Sequence, residues 1–168
     1  TWQNTYGRDG YNVVGAGAPS YPAYATVTPV GNADYVWAAS TADARALQKP
    51  ANPADRIAAA WYAANTFSID LNLTDGADHQ VALYLLDWDN IGRSERVEVL
   101  DAVTGNVLDT RAVSDFSGGE YLVWDLSGHV LSGAETRSVG NPVLRRCRIH
   151  DGGQAGVLAT REGLGTLE

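Results

Sequence analysis

Cysteine occurs once in this 168-residue chain, at Cys147. One thiol closes no intramolecular disulfide and supplies no cysteine framework for zinc. Scarce cysteine says little about compartment, since many bacterial secreted proteins do without disulfides. Lysine also occurs once, at Lys49, and the formal charge is −8 with a pI near 4.7. That balance excludes nucleic acid as a partner, because phosphate binding needs clustered Lys and Arg. The one dense basic cluster is Arg145, Arg146 and Arg148. No apolar run approaches the roughly 18 residues of a membrane span, so no membrane insertion is expected. No secretory leader opens the chain, and Thr1-Trp2-Gln3 reads as the start of a domain excised from a longer precursor. The expected setting is extracellular or at the cell surface.

Hydrophobic residues make up 45% of the chain and charged residues 19%, enough apolar material for a real core and too little charge for a disordered chain. Short runs of Val, Ile, Leu, Tyr and Trp alternate with Gly, Asn, Asp and Ser clusters, which is the pattern of an all-β protein. The expected strands are 10–14, 25–30, 35–39, 57–62, 67–73, 80–87, 96–101, 107–113 and 121–126. Phe67 to Leu73 alternates without a fault, with Phe67, Ile69, Leu71 and Leu73 on one face. Val81 to Leu86 is apolar on both parities and predicts a central strand covered on two sides. Thr74-Asp75-Gly76 and Thr104-Gly105-Asn106 supply the turn residues between strands. Residues 40–49 (STADARALQK) predict one or two helical turns stopped by Pro50 and Pro53. Many short strands with a single helical excursion predict an antiparallel β-sandwich or jelly roll. The composition changes near residue 131, dividing the chain into a sandwich over 1–131 and a C-terminal segment over 132–168.

Several stretches resemble the galactose-binding-like jelly rolls that serve as accessory carbohydrate-binding modules in large bacterial extracellular proteins. They are Tyr6-Gly7-Arg8-Asp9-Gly10-Tyr11, Trp37-Ala38-Ala39-Ser40-Thr41, Arg45-Ala46-Leu47-Gln48 and Ala82 to Asp89. Val97-Glu98-Val99-Leu100-Asp101, with Gly105, Gly119, Tyr121 and Trp124, continues the pattern to about residue 130. The resemblance implies the sandwich fold and leaves the ligand open, because that superfamily binds many sugars and some members bind none. The tail, Asn141 to Gly152 followed by Gly156-Val157-Leu158 and Gly165-Thr166-Leu167, resembles one coil of a right-handed parallel β-helix of the pectate-lyase kind. A lone coil cannot bury its faces. Either further coils follow, or the tail folds back, with Val143 to Ile149 as the closing strand of the sandwich.

Catalytic chemistry finds little footing. His79, His129 and His150 lie far apart beside turns, and there is no Gly-x-Ser-x-Gly elbow or Cys-His pairing. Cys147 and His150 are three residues apart, which on a strand places them on opposite faces. No enzyme is expected. A sugar site needs an aromatic ring for the C–H face and fixed polar groups for the hydroxyl rim. Asp87-Trp88-Asp89-Asn90-Ile91-Gly92-Arg93 offers both after a buried strand, so Trp88, Asp89, Asn90 and Arg93 are candidate ligand residues. Against this, Trp88 reads also as a rim core residue and Asp87 with Arg93 as a loop-stabilising ion pair. Asp43 and Arg45 are further candidates, against a plain capped turn. Asp87 and Asp89 are hard oxygen donors suited to a structural calcium, although no EF-hand pattern is present. Trp37, Trp61 and Trp124 fall within strands and read as core.

Together these features and the resemblance imply a non-catalytic module that binds a polysaccharide or oligosaccharide. A structural or adhesion spacer without a sugar ligand, or a truncated fragment of a β-helix polysaccharide lyase, are the other readings. An unpaired strand edge would also permit a homodimer.

Overall fold

A computed structural model describes residues 1–132, 148–149 and 154–162. After a single helical turn, α1 (Trp2–Thr5), the described chain is strands and turns. The strands are β1 (Gly10–Val13), β2 (Ala25–Val30), β3 (Ala33–Thr41), β4 (Leu47–Lys49), β5 (Asn52–Tyr62), β6 (Ser68–Leu73) and β7 (His79–Leu85). There follow β8 (Ser94–Asp101), β9 (Val107–Ser114), β10 (Glu120–Leu126), β11 (His129–Ser132), β12 (Arg148–Ile149) and β13 (Gln154–Glu162). A 3₁₀ turn, Phe116–Gly118, joins β9 to β10.

The strands form two antiparallel sheets. The first runs β10-β7-β13-β5-β3, with β1 also on β13 and β4 also on β5; the second runs β12-β8-β11-β6-β2, with β9 on β8. Their facing sides share one core, in which Phe67, Ile69, Leu71 and Leu73 of the second sheet meet Trp61, Val81, Leu83 and Leu85 of the first. Both the alternation of Phe67 to Leu73 and the all-β antiparallel sandwich follow the sequence pattern. Gly76 and Gly105 take the positive φ their turns need, at 76° and 74°.

Strand β7 is covered on both faces, as its double-parity apolar run requires. Val81, Leu83 and Leu85 enter the inter-sheet core, whereas Tyr84 and Leu86 enter a second cluster with Trp2, Val13, Leu47 and Ile57 on the outer side. The first residues of the chain build that cover. Trp2 is buried, meets Tyr11 edge-on at 5.4 Å and donates its indole N–H to the Gln48 carbonyl at 3.1 Å.

Two expectations need correction. Residues 40–49 form no helix: the chain turns at Asp43 to Ala46 and enters β4, where Leu47 pairs with Ile57. Burial of Leu47 in the outer cluster outweighs the helix propensity of the segment. Trp37 is half-buried on the outer face, outside both apolar clusters. The C-terminal segment contributes to both sheets: Arg148 and Ile149 pair with Glu98 and Val97 of β8, and β13 lies inside the first sheet, while residues 143–147 of the expected closing strand lie outside the described residues. Leu158 pairs with Leu83 on one side and Asn12 on the other, and Gln154 pairs with Tyr62. These ladders are antiparallel. Cys147, His150 and the Arg145-Arg146 part of the basic cluster lie outside the described residues.

With β13 inside the sheet, the ends of its path are β10 and β3. Strand β3 is interrupted by register shifts between Val36 and Ala38 and between Ala38 and Thr41, which blunts it as a template for a second chain.

Candidate functional site

The loop after β7 is built around one buried carboxylate. Asp87 is 2% exposed, and its Oδ2 accepts from the backbone N–H groups of Gly92 (3.0 Å) and Arg93 (3.2 Å), while its Oδ1 pairs with the Arg93 guanidinium. Its own N–H donates to the Phe116 carbonyl at 3.2 Å, tying the loop to the 3₁₀ turn. Asn90 takes a left-handed φ of 52°, a conformation that its short amide side chain tolerates. The exposed tip of the loop is Asp89, Asn90 and Ile91. Arg93 also pairs with Asp89, with Nη2 3.1 Å from Oδ2. That hydrogen bond holds the Asp89 carboxyl below the usual range, and in return raises Arg93.

The second candidate loop comes to the same place. Arg45 folds back on Asp43, donating Nη2 to Oδ2 at 2.8 Å, and its backbone N–H donates to Oδ1 at 2.9 Å. These bonds hold the Asp43 carboxyl below its ordinary value. Arg45 Nη1 reaches the carbonyls of Ser117 (3.0 Å) and Trp88 (3.4 Å), and its Cζ lies 4.7 Å from the Trp88 ring centroid. Beneath it, the Tyr84 hydroxyl donates to the Arg45 carbonyl at 2.6 Å, and burial pushes the Tyr84 phenol up to about 12. All six expected ligand residues therefore gather at one end of the first sheet, where Arg45 staples the 43–46, 87–93 and 115–119 segments together. Trp88 is half-buried, packs against the outer cluster and has the Arg45 guanidinium over its ring.

Asp87 and Asp89 meet, but on Arg93, whose guanidinium stands between the two carboxylates. Among the described residues no three His, Cys, Asp or Glu cluster to hold a metal. The donors do not fit a structural calcium, which takes six to eight oxygens and would have to displace Arg93. His79 and His129 have structural contacts. His79 stacks on Tyr24 at 4.1 Å and bonds to Asp75 at 3.0 Å, and His129 lies 2.8 Å from Asp70. Trp124 bridges the sheets, donating to Asp109 at 2.6 Å beneath Arg111.

Trp37 belongs to the site, although the sequence reading placed it in the core. It sits in the β3 bulge, with Arg93 Cζ 5.8 Å from its ring, and lines a small depression together with Leu47, Ile57, Tyr84 and Leu86. The consecutive alanines of β5, Ala58, Ala59 and Ala60, also border it. The two signals that could have found it are Tyr35-x-Trp37 at strand period and three consecutive alanines in the partner strand.

The carboxylates at this end set an acid limit. Asp43, Asp89 and Asp55 all have folded pKa values depressed by their Arg or Lys partners, Asp55 to about 2. A depressed carboxylate stabilises the fold above its unfolded pKa of about 3.9 and loses that contribution as pH falls through the folded value. Melting temperature is thus expected to be flat from pH 7 to 5 and to fall between about 4 and 2, as scanning calorimetry across that range would read.

No family model matches the sequence, and no curated protein matches it. A search of solved structures finds a likeness to a family 35 carbohydrate binding module from Clostridium thermocellum, 12% identical, covering 83% of this chain and 92% of that one, with a TM-score of 0.41.

Proposed function

We propose that this chain is a non-catalytic carbohydrate-binding module of a secreted bacterial carbohydrate-active protein, working outside the cell or at its surface. Its sugar site is the loop end of the first sheet. One observation carries the reading: both loops singled out for their aromatic and polar residues converge on Trp88, with Asp89 and Asn90 exposed beside it. Trp88 offers a C–H-binding ring, and Asp89, Asn90 and Arg93 offer hydroxyl partners that the Asp87-centred loop holds in place before any ligand arrives. Arg45 and Asp43 position Trp88 and the 3₁₀ turn. The C-terminal segment completes the sandwich through β13, so residues 154–162 work as part of the same module.

A spacer or adhesion domain without a sugar ligand is the rival, favoured by the internal commitments of Arg45 to Asp43, Trp88 and Ser117. Affinity electrophoresis through gels containing single polysaccharides separates the two. Retardation by at least one polysaccharide, reduced tenfold or more in affinity by Trp88→Ala in a variant that remains folded, supports the sugar site. Identical migration of parent and variant in every gel supports the spacer.

A further inference from the structure

Beyond the Trp88 loop, the outer face of the first sheet carries a row of rings that the loop site does not use. Tyr62 follows the core residue Trp61 and so points to the opposite, outer side of β5. Tyr35 pairs with Ala60 and shares that face. The Tyr35 ring lies 6.1 Å from Tyr62 and 5.2 Å from Trp37, and Trp37 in turn lies under Arg93 at 5.8 Å. Tyr35 is 48% exposed and Tyr62 37%. Exposed aromatics in mutual contact on an edge strand are costly unless something uses them. The row leads directly from Tyr62 to the Arg93–Asp89 pair of the loop site.

We propose that this row, Tyr62-Tyr35-Trp37 running into Arg93, is a track for an internal stretch of a single, soluble, neutral polysaccharide chain. The proposal rests on the sugar-binding reading and names its substrate class. Three features set that class. The rings succeed one another at steps comparable to the length of a pyranose, so consecutive sugars find consecutive apolar contacts. Tyr35 stands edge-on to both neighbours, at 79° to Trp37 and 83° to Tyr62, so the three rings form a stepped surface and cannot lie flat on a crystalline face. Arg93 and Arg45, the cations at the end of the row, are each paired with carboxylates of the protein, and the chain is acidic overall, so an anionic chain finds no free positive charge there. The depression lined by Trp37 and Tyr84 is far too small to enclose the end of a sugar chain.

The test uses the full chain and a fixed panel: soluble galactomannan, arabinoxylan, mixed-linkage β-glucan, polygalacturonate and microcrystalline cellulose, with trisaccharides from whichever polymer binds. Tyr35→Ala and Tyr62→Ala are half-exposed changes, checked for unaltered melting temperature. The expected result is binding of at least one neutral soluble polymer more than tenfold tighter than its trisaccharide. Each tyrosine variant should weaken the polymer more than fivefold and leave the trisaccharide unchanged. Preference for polygalacturonate or for cellulose, or polymer affinity unmoved in both tyrosine variants while Trp88→Ala abolishes it, overturns the track and leaves the loop site standing. Binding of no polymer or trisaccharide by the parent overturns both.

Discussion

Gly119→Ala is expected to be among the most destabilising single substitutions in this chain, although it adds only one methyl group. A Cβ at position 119 would lie 1.8 Å from the Tyr84 hydroxyl and 2.6 Å from its Cζ. Tyr84 cannot withdraw, because it is 6% exposed, is bonded to the Arg45 carbonyl, and packs 4.6 Å from Tyr121. The backbone adds to the conflict, since Gly119 has φ of 83° and ψ of 134°, a region that a residue with a Cβ enters only under strain. Overpacking and backbone strain together amount to roughly 2–5 kcal/mol. At this chain length that is a fall of about 5–15 °C in melting temperature. Gly118 is the internal control: its Cβ would meet nothing within 4 Å, and Gly118→Ala is expected to stay within about 0.5 kcal/mol of the parent. Thermal unfolding of the two variants side by side checks the packing of Tyr84 under the site. Equal melting temperatures would refute it.

The second large effect joins the core to the site. Phe116 is 2% exposed and belongs to the inter-sheet core, although it lies on the short 3₁₀ turn rather than on a strand. Its carbonyl accepts from the N–H groups of Asp87 and Gly119, and the next carbonyl, of Ser117, accepts from Arg45. The ring therefore anchors the turn on which both candidate loops hang. Phe116→Ala is expected to cost about 3–5 kcal/mol in urea unfolding, as a large buried ring leaves a cavity. Phe116→Leu should cost substantially less, because it keeps most of the apolar contact. At temperatures where Phe116→Ala remains folded, its sugar affinity should also fall, because Asp87 and Arg45 lose their common anchor. A stability loss below 1 kcal/mol would show that the turn is held from elsewhere.

Much of the architecture was legible because burial in a sandwich imposes period two. Strand β2 has the expected bounds, Ala25 to Val30, and the other expected strands reappear with their ends shifted. The apolar parity of Val81 to Leu86 anticipated a strand covered twice, and the cover proved to be the N-terminal residues around Trp2. What the pattern could not give were elements whose conformation depends on distant partners. β4 is three residues long and exists through its pairing with Ile57. β13 has a glycine at position 156 and little alternation, and takes its place by pairing with β1, β5 and β7.

At the candidate site, the sequence supplied residue types but not their commitments. Asp87 with Arg93 was legible as a loop ion pair at short spacing. The bonds from Arg45 to Trp88 and Ser117 span 43 and 72 residues, and no local pattern encodes them. Trp37 was placed in the core because an aromatic within a strand reads as core unless its face is known, and the face is set by pairing with distant β5. The calcium reading counted Asp87 and Asp89 as donors and left out the guanidinium that joins them.

The five tryptophans provide the most direct test of the sugar site, because each indole N–H gives its own signal in a ¹H–¹⁵N correlation spectrum. Trp2 and Trp61 are buried, and Trp124 is committed to Asp109 across the sheets, so these three serve as reporters that a ligand at the loop end should not reach. Titration with a polysaccharide that retards the protein in a gel is predicted to shift the Trp88 indole first and most, with Trp37 following, while Trp2, Trp61 and Trp124 stay in place. Shifts confined to Trp124, or saturation by the sugar with the Trp88 signal unmoved, would contradict the account.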